Sequence, residues 1–216
     1  MQKIIGRIHV LTDAVLQTRF SHQELARLAL EGGADVIQFR QKIGSTRELI
    51  QTARELNAIC RGHDARFIVN DRIDVAIGSE APGVHLGQSD FPMDLARELL
   101  GEDKIIGGSA SDMEEARICV EHGVDYIGLG PVYPTTSKGD AGPVGGLELL
   151  KRVAEAVSPV PVIAIGGIGE DNAGAVMDAG AHGIAVISSV CCMEDPRGAA
   201  ARLRDVVDRH VGVRRA

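Results

Sequence analysis

The chain reads as a closed (β/α)8 barrel. Three observations point there. Short apolar runs recur, each stopping at a small polar cluster; helix-start and helix-stop signals separate them; and the pattern repeats eight times in 216 residues, about 27 per unit, with no linker or low-complexity stretch. Eight alternating units predict closure rather than an open sheet, and one domain over 1–216.

The elements follow in order. Ile8-His9-Val10-Leu11 stops at Thr12-Asp13, and Ser21 with Glu24 forms a capping box for a first helix that Gly32-Gly33 ends. Val36-Ile37-Gln38-Phe39 stops at Arg40 and Lys42, a Ser45/Glu48 box opens the next helix, and Arg61-Gly62 closes it. Phe67-Ile68-Val69 stops at Asn70-Asp71, and Val84-His85-Leu86 at Gly87-Gln88-Ser89-Asp90, with Leu100-Gly101 ending the helix after it. Ile105-Ile106 stops at Gly107-Gly108-Ser109, a Ser111/Glu114 box follows, and His122-Gly123 ends that helix. Tyr126-Ile127-Gly128-Leu129 enters a hydroxyl-rich loop through Thr135, Thr136, Ser137 and Lys138. Val162-Ile163-Ala164-Ile165 stops at Gly166-Gly167, and Ile184-Ala185-Val186-Ile187 at Ser188-Ser189, with Ala179-Gly180 between them. Strands are expected near 7–12, 34–40, 66–70, 82–86, 104–108, 124–129, 161–166 and 183–188.

Composition agrees with parallel strands covered on both faces. Hydrophobic residues make up 44%, aromatics only 3%, and Trp is absent, so the core is built from Val, Ile, Leu and Ala. A net charge of -7 without a dense basic block argues against nucleic acid. Cysteines at 60, 119, 191 and 192 show no metal or redox spacing, and no secretory leader precedes Arg7, so a reduced cytoplasmic setting is expected, with Cys191-Cys192 as free thiols. No apolar run is long enough to cross a membrane.

Parallel strand ends share one face, so the polar clusters converge there. Alternation puts Val36, Gln38 and Arg40 on one face and the apolar Ile37 and Phe39 on the other, which aims Gln38 and Arg40 into the barrel mouth. Gly128 and Gly130 share the parity of Tyr126 and leave space where a flat ring can settle. Arg40, Lys42 and Lys138 are candidate cations for an anionic substrate, although a charged loop residue is as readily a surface ion pair. Asp71 and Asp90 follow neighbouring strands about 4.8 Å apart, which suits Mg²⁺, a cation that takes one or two carboxylates plus phosphate oxygens and water; Asp71 as a helix cap is the competing reading. Gly166-Gly167-Ile168 and Ser188-Ser189 occupy the two loops where barrels bind phosphate. His85 is expected as a structural imidazole near the mouth. No nucleophile set stands out.

Taken together, Leu11-Thr12-Asp13, Gln38-Phe39-Arg40-Gln41-Lys42, Val69-Asn70-Asp71-Arg72, Gly83-Val84-His85-Leu86-Gly87-Gln88-Ser89-Asp90, Gly128 through Lys138, Ala164-Ile165-Gly166-Gly167-Ile168 and Val186-Ile187-Ser188 resemble the thiamine-phosphate synthase family along nearly the whole chain. The resemblance implies a (β/α)8 transferase that joins hydroxymethylpyrimidine diphosphate to a thiazole phosphate, carboxylated or simple, and releases pyrophosphate. It implies that Gln38, Arg40, Lys42, Asn70 and Lys138 hold the pyrimidine diphosphate and that Asp71 and Asp90 bind Mg²⁺. Ser109 would contact the pyrimidine region or its leaving group, and Thr135, Ser137, Gly167, Ile187 and Ser188 the thiazole phosphate. In that chemistry Arg40, Lys42 and Lys138 take up charge on the departing group, Ser109 is a further catalytic residue, and the neutral thiazole nitrogen needs no general base. Two positions depart from the family pattern: Gln41 where Glu is common, with a parity pointing away from the site, and Ser137 where Thr is common. A thiazole-phosphate isomerase on the same barrel, with His85 moving protons, and a non-catalytic barrel that binds a phosphorylated metabolite are the alternatives. Both leave the aspartate pair or the cations unexplained. A homo-oligomer is left open.

Overall fold

The computed structural model describes residues 3–137 and 142–213. Its strands are β1 (Ile8–Thr12), β2 (Val36–Phe39), β3 (Arg66–Asn70), β4 (Gly83–Leu86), β5 (Ile105–Ala110), β6 (Tyr126–Leu129), β7 (Val162–Ile165) and β8 (Gly183–Val186). Between and after them lie α1 (His22–Glu31), α2 (Thr46–Gly62), α3 (Ile73–Gly78), α4 (Met93–Leu100), α5 (Met113–Glu121), α6 (Gly146–Ala156), α7 (Glu170–Asp178), a one-turn α8 (Ser188–Cys191) and α9 (Pro196–Val213). All strands pair in parallel in chain order, and β8 returns to β1 through Ile8 beside Ile184, which closes the barrel.

Strand alternation divides the apolar residues into two cores. Leu11, Val36, Ile68, Ile105, Tyr126 and Ile163 fill the barrel interior, while Ile37, Phe39, Phe67 and Val69 face the helices. Burying each such large side chain contributes roughly 1.5–3 kcal/mol. On α2 the buried Leu49, Ala53, Leu56 and Cys60 recur at helical spacing, which lays one stripe against the sheet.

Two of the three expected capping boxes form: Ser21 Oγ accepts from Glu24 N–H while Glu24 reaches back to Ser21 N–H, and Ser45 pairs likewise with Glu48. The third does not. α5 is capped by Asp112, whose side chain accepts from Glu115 N–H, while the Ser111 N–H and hydroxyl both donate to Glu115 Oε2. Asp prefers the cap as strongly as Ser, so the competing cap one residue later prevails. Likewise Gly62 is the last residue of α2 rather than its left-handed terminator, and Asp64 takes that conformation at φ 53°. β5 runs to Ala110, beyond the expected end at 108, so Ser109 is a strand residue.

The opposite, N-terminal face is closed by satisfied charges. Asp35 accepts from the N–H groups of Arg7 and Ile8 and from Arg204, and Asp125 from Lys3, Arg97 and Ile106 N–H. On a barrel these are fold-supporting positions.

Candidate active site

At the C-terminal ends of the strands a cavity of ≈ 830 Å³ opens. Every strand from β2 to β8 delivers a residue to it: Arg40 and Lys42 after β2, Asp71 after β3, Asp90 after β4, Ser109 on β5, Thr135 and Ser137 after β6, Gly167 after β7, and Ile187 with Ser188 after β8. Gln38 and Asn70, also named from sequence, do not line it; they are buried just below, at 4% and 5% exposure. Lys138 lies outside the described residues.

Arg40 is not a surface ion pair. Its guanidinium is buried and Nη1 donates to Asp13 Oδ2, while Asp13 Oδ1 accepts from Val15 N–H at 2.8 Å and Leu16 N–H at 3.1 Å. The loop after β1 thus fixes the carboxylate that fixes the arginine, and a buried pair of this kind depends on both partners. No role for Asp13 is expected from sequence beyond its place in Leu11-Thr12-Asp13; its signal is the shared pattern of strand ends, the same that marks Asp71. Gln41 turns away from the cavity: its Oε1 lies 2.6 Å from His22 Nε2, whose other nitrogen meets Thr12 Oγ1 at 2.8 Å. Burial lowers the His22 pKa, partly offset by the bond to Gln41.

Asp71 does not cap α3; Arg72 holds that position without a side-chain bond. Instead Asp71 sits in the left-handed region at φ 65°, and its N–H donates to His85 O at 2.8 Å. An Asp tolerates that conformation better than most residues. Asp90 folds back so that Oδ2 accepts from Gly87 N–H at 2.7 Å.

The phosphate-type loops meet across the mouth. Gly166 and Gly167 have φ of 98° and 63°, and a Cβ on either would strike the loop after β6, at Pro131 Cα (2.6 Å) and Pro134 O (2.6 Å). That loop is stitched to β7 by Val132 N–H to Ile165 O and Tyr133 N–H to Gly166 O. Its tip reaches β8 through the Ser137 hydroxyl, 3.2 Å from Ser188 Oγ, and Thr135 Oγ1 accepts from Ser137 N–H. Of the buried side-chain polar atoms without a partner among the described residues, Arg40 Nε, Asn70 Oδ1 and Ser189 Oγ lie at this end of the barrel; the other, Arg204 Nε, is on α9. From sequence, Ser189 is marked only as part of the loop after β8.

The inward glycines do not leave the floor empty. A Cβ on Gly128 would meet His85 Cε1 at 2.8 Å, and Gly130 packs against Ile165. The space beside Gly128 is filled by the chain's own imidazole. Cys191 is buried with its pKa pushed up to about 12 and Sγ donating to Leu11 O.

Set beside known proteins, residues 8–190 match the family model described as thiamine monophosphate synthase. The thiamine-phosphate synthase of Salinibacter ruber is 51% identical over 96% of this chain and 91% of that protein. The thiamine-phosphate synthase of Methanospirillum hungatei is 46% identical, with 93% and 97% covered. A solved thiamine phosphate pyrophosphorylase from Pyrococcus furiosus superposes with a TM-score of 0.87 at 42% identity, covering 95% of this chain and 97% of that one.

Proposed function

The chain belongs to the thiamine monophosphate synthase family and is a transferase of that family, and on that premise we propose how its barrel mouth works. The cavity joins hydroxymethylpyrimidine diphosphate to a thiazole phosphate and releases pyrophosphate. One observation carries the reading: cations, two carboxylates and two phosphate-type loops from seven strands line a single cavity.

The donor set suits Mg²⁺. Asp71 and Asp90 line the same cavity, Asp90 keeps Oδ1 beyond its bond to Gly87, and the buried Asn70 Oδ1 beside Asp71 has no partner among the described residues. Among the described residues no three His, Cys, Asp or Glu cluster as ligands, so a cation held by the pair would draw the rest from diphosphate oxygens and water. When bound, Mg²⁺ neutralises charge growing on the leaving group. Arg40, held rigid by Asp13, presents its remaining N–H groups to the diphosphate, and Lys42 at the cavity edge adds a second positive charge. Fixed donors of this kind need no reorganisation as charge develops. Thr135, Ser137, Gly167, Ile187 and Ser188 form the opposite wall, where hydroxyls and left-handed glycine backbone suit the thiazole phosphate. No residue is asked to act as a base.

Small molecules are the partners of such a cavity. No described helix is long and apolar enough to cross a membrane; a cytoplasmic setting and one domain over 1–216 complete the reading.

Mixing both substrates with Mg²⁺ and following product mass tests the function. Appearance of the coupled product with equimolar pyrophosphate is expected. Rearrangement of the thiazole phosphate alone, with no pyrophosphate, would overturn it.

A further inference from the structure

Three polar side chains on adjacent strands meet beneath the cavity. Register sets His85 on β4 beside Gly107 on β5 and Gly107 beside Tyr126 on β6; two residues further along β5, Ser109 lies beside Gly128. The glycines make the socket. A Cβ on Gly107 would fall on the Tyr126 ring and His85 Nδ1, and one on Gly128 would lie 2.8 Å from His85 Cε1. The two rings stack at 5.4 Å with 30° between planes. His85 Nδ1 is 3.0 Å from Tyr126 Oη, and His85 Nε2 is 2.9 Å from Ser109 Oγ. Tyr126 is 2% exposed, His85 8%, and only Ser109 of the three lines the cavity.

Two hydrogen-bond patterns fit this row, and one of them points a donor at the cavity. Burial pushes the Tyr126 phenol pKa up, so it keeps its proton and is available as a donor. A neutral imidazole has one donor nitrogen and one acceptor. With Tyr126 Oη donating to Nδ1, the ring proton resides on Nε2 and is donated to a lone pair of Ser109 Oγ. The serine's own proton is then left for the cavity. In the opposite tautomer Ser109 would donate back to His85 and present only a lone pair outward.

We propose that Tyr126 and His85 are positioning residues that hold Ser109 as a hydrogen-bond donor toward an acceptor atom of the pyrimidine diphosphate. The acceptor's identity rests on the functional reading above; the direction of the row does not. No proton changes hands. The row sets polarity in the ground state, so the donor is already aimed when charge develops.

The test begins with the unaltered protein. Nitrogen-15 NMR of His85 should show Nε2 protonated and Nδ1 bare; the reverse tautomer overturns the proposal without any variant having to fold. Tyr126→Phe keeps the ring in its socket and removes the donor. It should lower kcat roughly three- to tenfold, the worth of one hydrogen bond, and mix the His85 tautomers. In a Ser109→Ala background the same change should cost nothing further, because its effect passes through the serine. An equal loss in both backgrounds would mean that Tyr126 only packs, and the relay would be wrong. Unaltered protein that makes no coupled product would instead sink the functional reading, while its His85 tautomer still decides the relay.

Discussion

Asp13 and Arg40 show how much a single residue's role depends on its partner. The pair is buried, with side-chain exposures of 2% and 10%, so removing one member leaves an uncompensated charge. Asp13→Ala is expected to cost about 3–5 kcal/mol of stability, read by urea unfolding, and Arg40→Leu added to it should restore part of the loss. A cost below about 1 kcal/mol would mean that the pair is solvated and holds nothing. Arg40 was legible because strand parity aims it at the mouth; Asp13 was not, because a strand-end carboxylate looks the same whether it meets a metal, a cap or a neighbouring arginine. The orphaned Ser189 Oγ was equally hidden, since burial of one atom has no local sequence signal.

Among the elements, the strands were the most legible and the helix starts less so. Apolar runs bounded by polar clusters mark a parallel strand from either face, and the fully buried β4 and β6 appear where such runs stand. Capping depends on a contest between neighbours, which Asp112 wins over Ser111. Ser45→Ala should therefore cost about 1 kcal/mol with turnover unchanged, whereas Ser111→Ala should leave α5 capped; thermal melts of both distinguish them. At the β7 end, Gly167→Ala is expected to strain a left-handed residue and push Pro134 O away. The loop bearing Thr135 and Ser137 moves with it, so KM for the thiazole phosphate should rise about tenfold or more while KM for the pyrimidine diphosphate changes little. Equal effects on both would place the loop's function elsewhere.

For the molecule as a whole, the barrel divides its charges by face: Asp35 and Asp125 are satisfied at the closed end, and of the four partnerless buried side-chain polar atoms among the described residues three lie at the open one, the fourth being Arg204 Nε. Its acid sensitivity follows from buried imidazoles. Burial lowers the His9 pKa from 6.5 to about 4, with a hydrogen bond to Gly6 O offsetting part of the shift. The unfolded chain thus binds more protons between those values, so stability rises with pH across that window and is flat for this group above it. Each pH unit within it costs about 1.4 kcal/mol, and His22 and His182, lowered the same way, add to it. Urea midpoints should fall from pH 7 to pH 5, less steeply in His9→Gln; identical slopes would remove His9 from the account.

In the proposed function Asp71 and Asp90 hold the metal on which diphosphate departure depends. This role is tested most directly by pyrophosphate release across a range of Mg²⁺ concentrations in the unaltered protein and in Asp71→Asn, a change that tolerates φ 65° and removes only the charge. The expected result is no release without metal in either protein, with Asp71→Asn requiring at least about tenfold more Mg²⁺ for half-maximal rate. Superimposable Mg²⁺ curves, or release without any divalent cation, would contradict it.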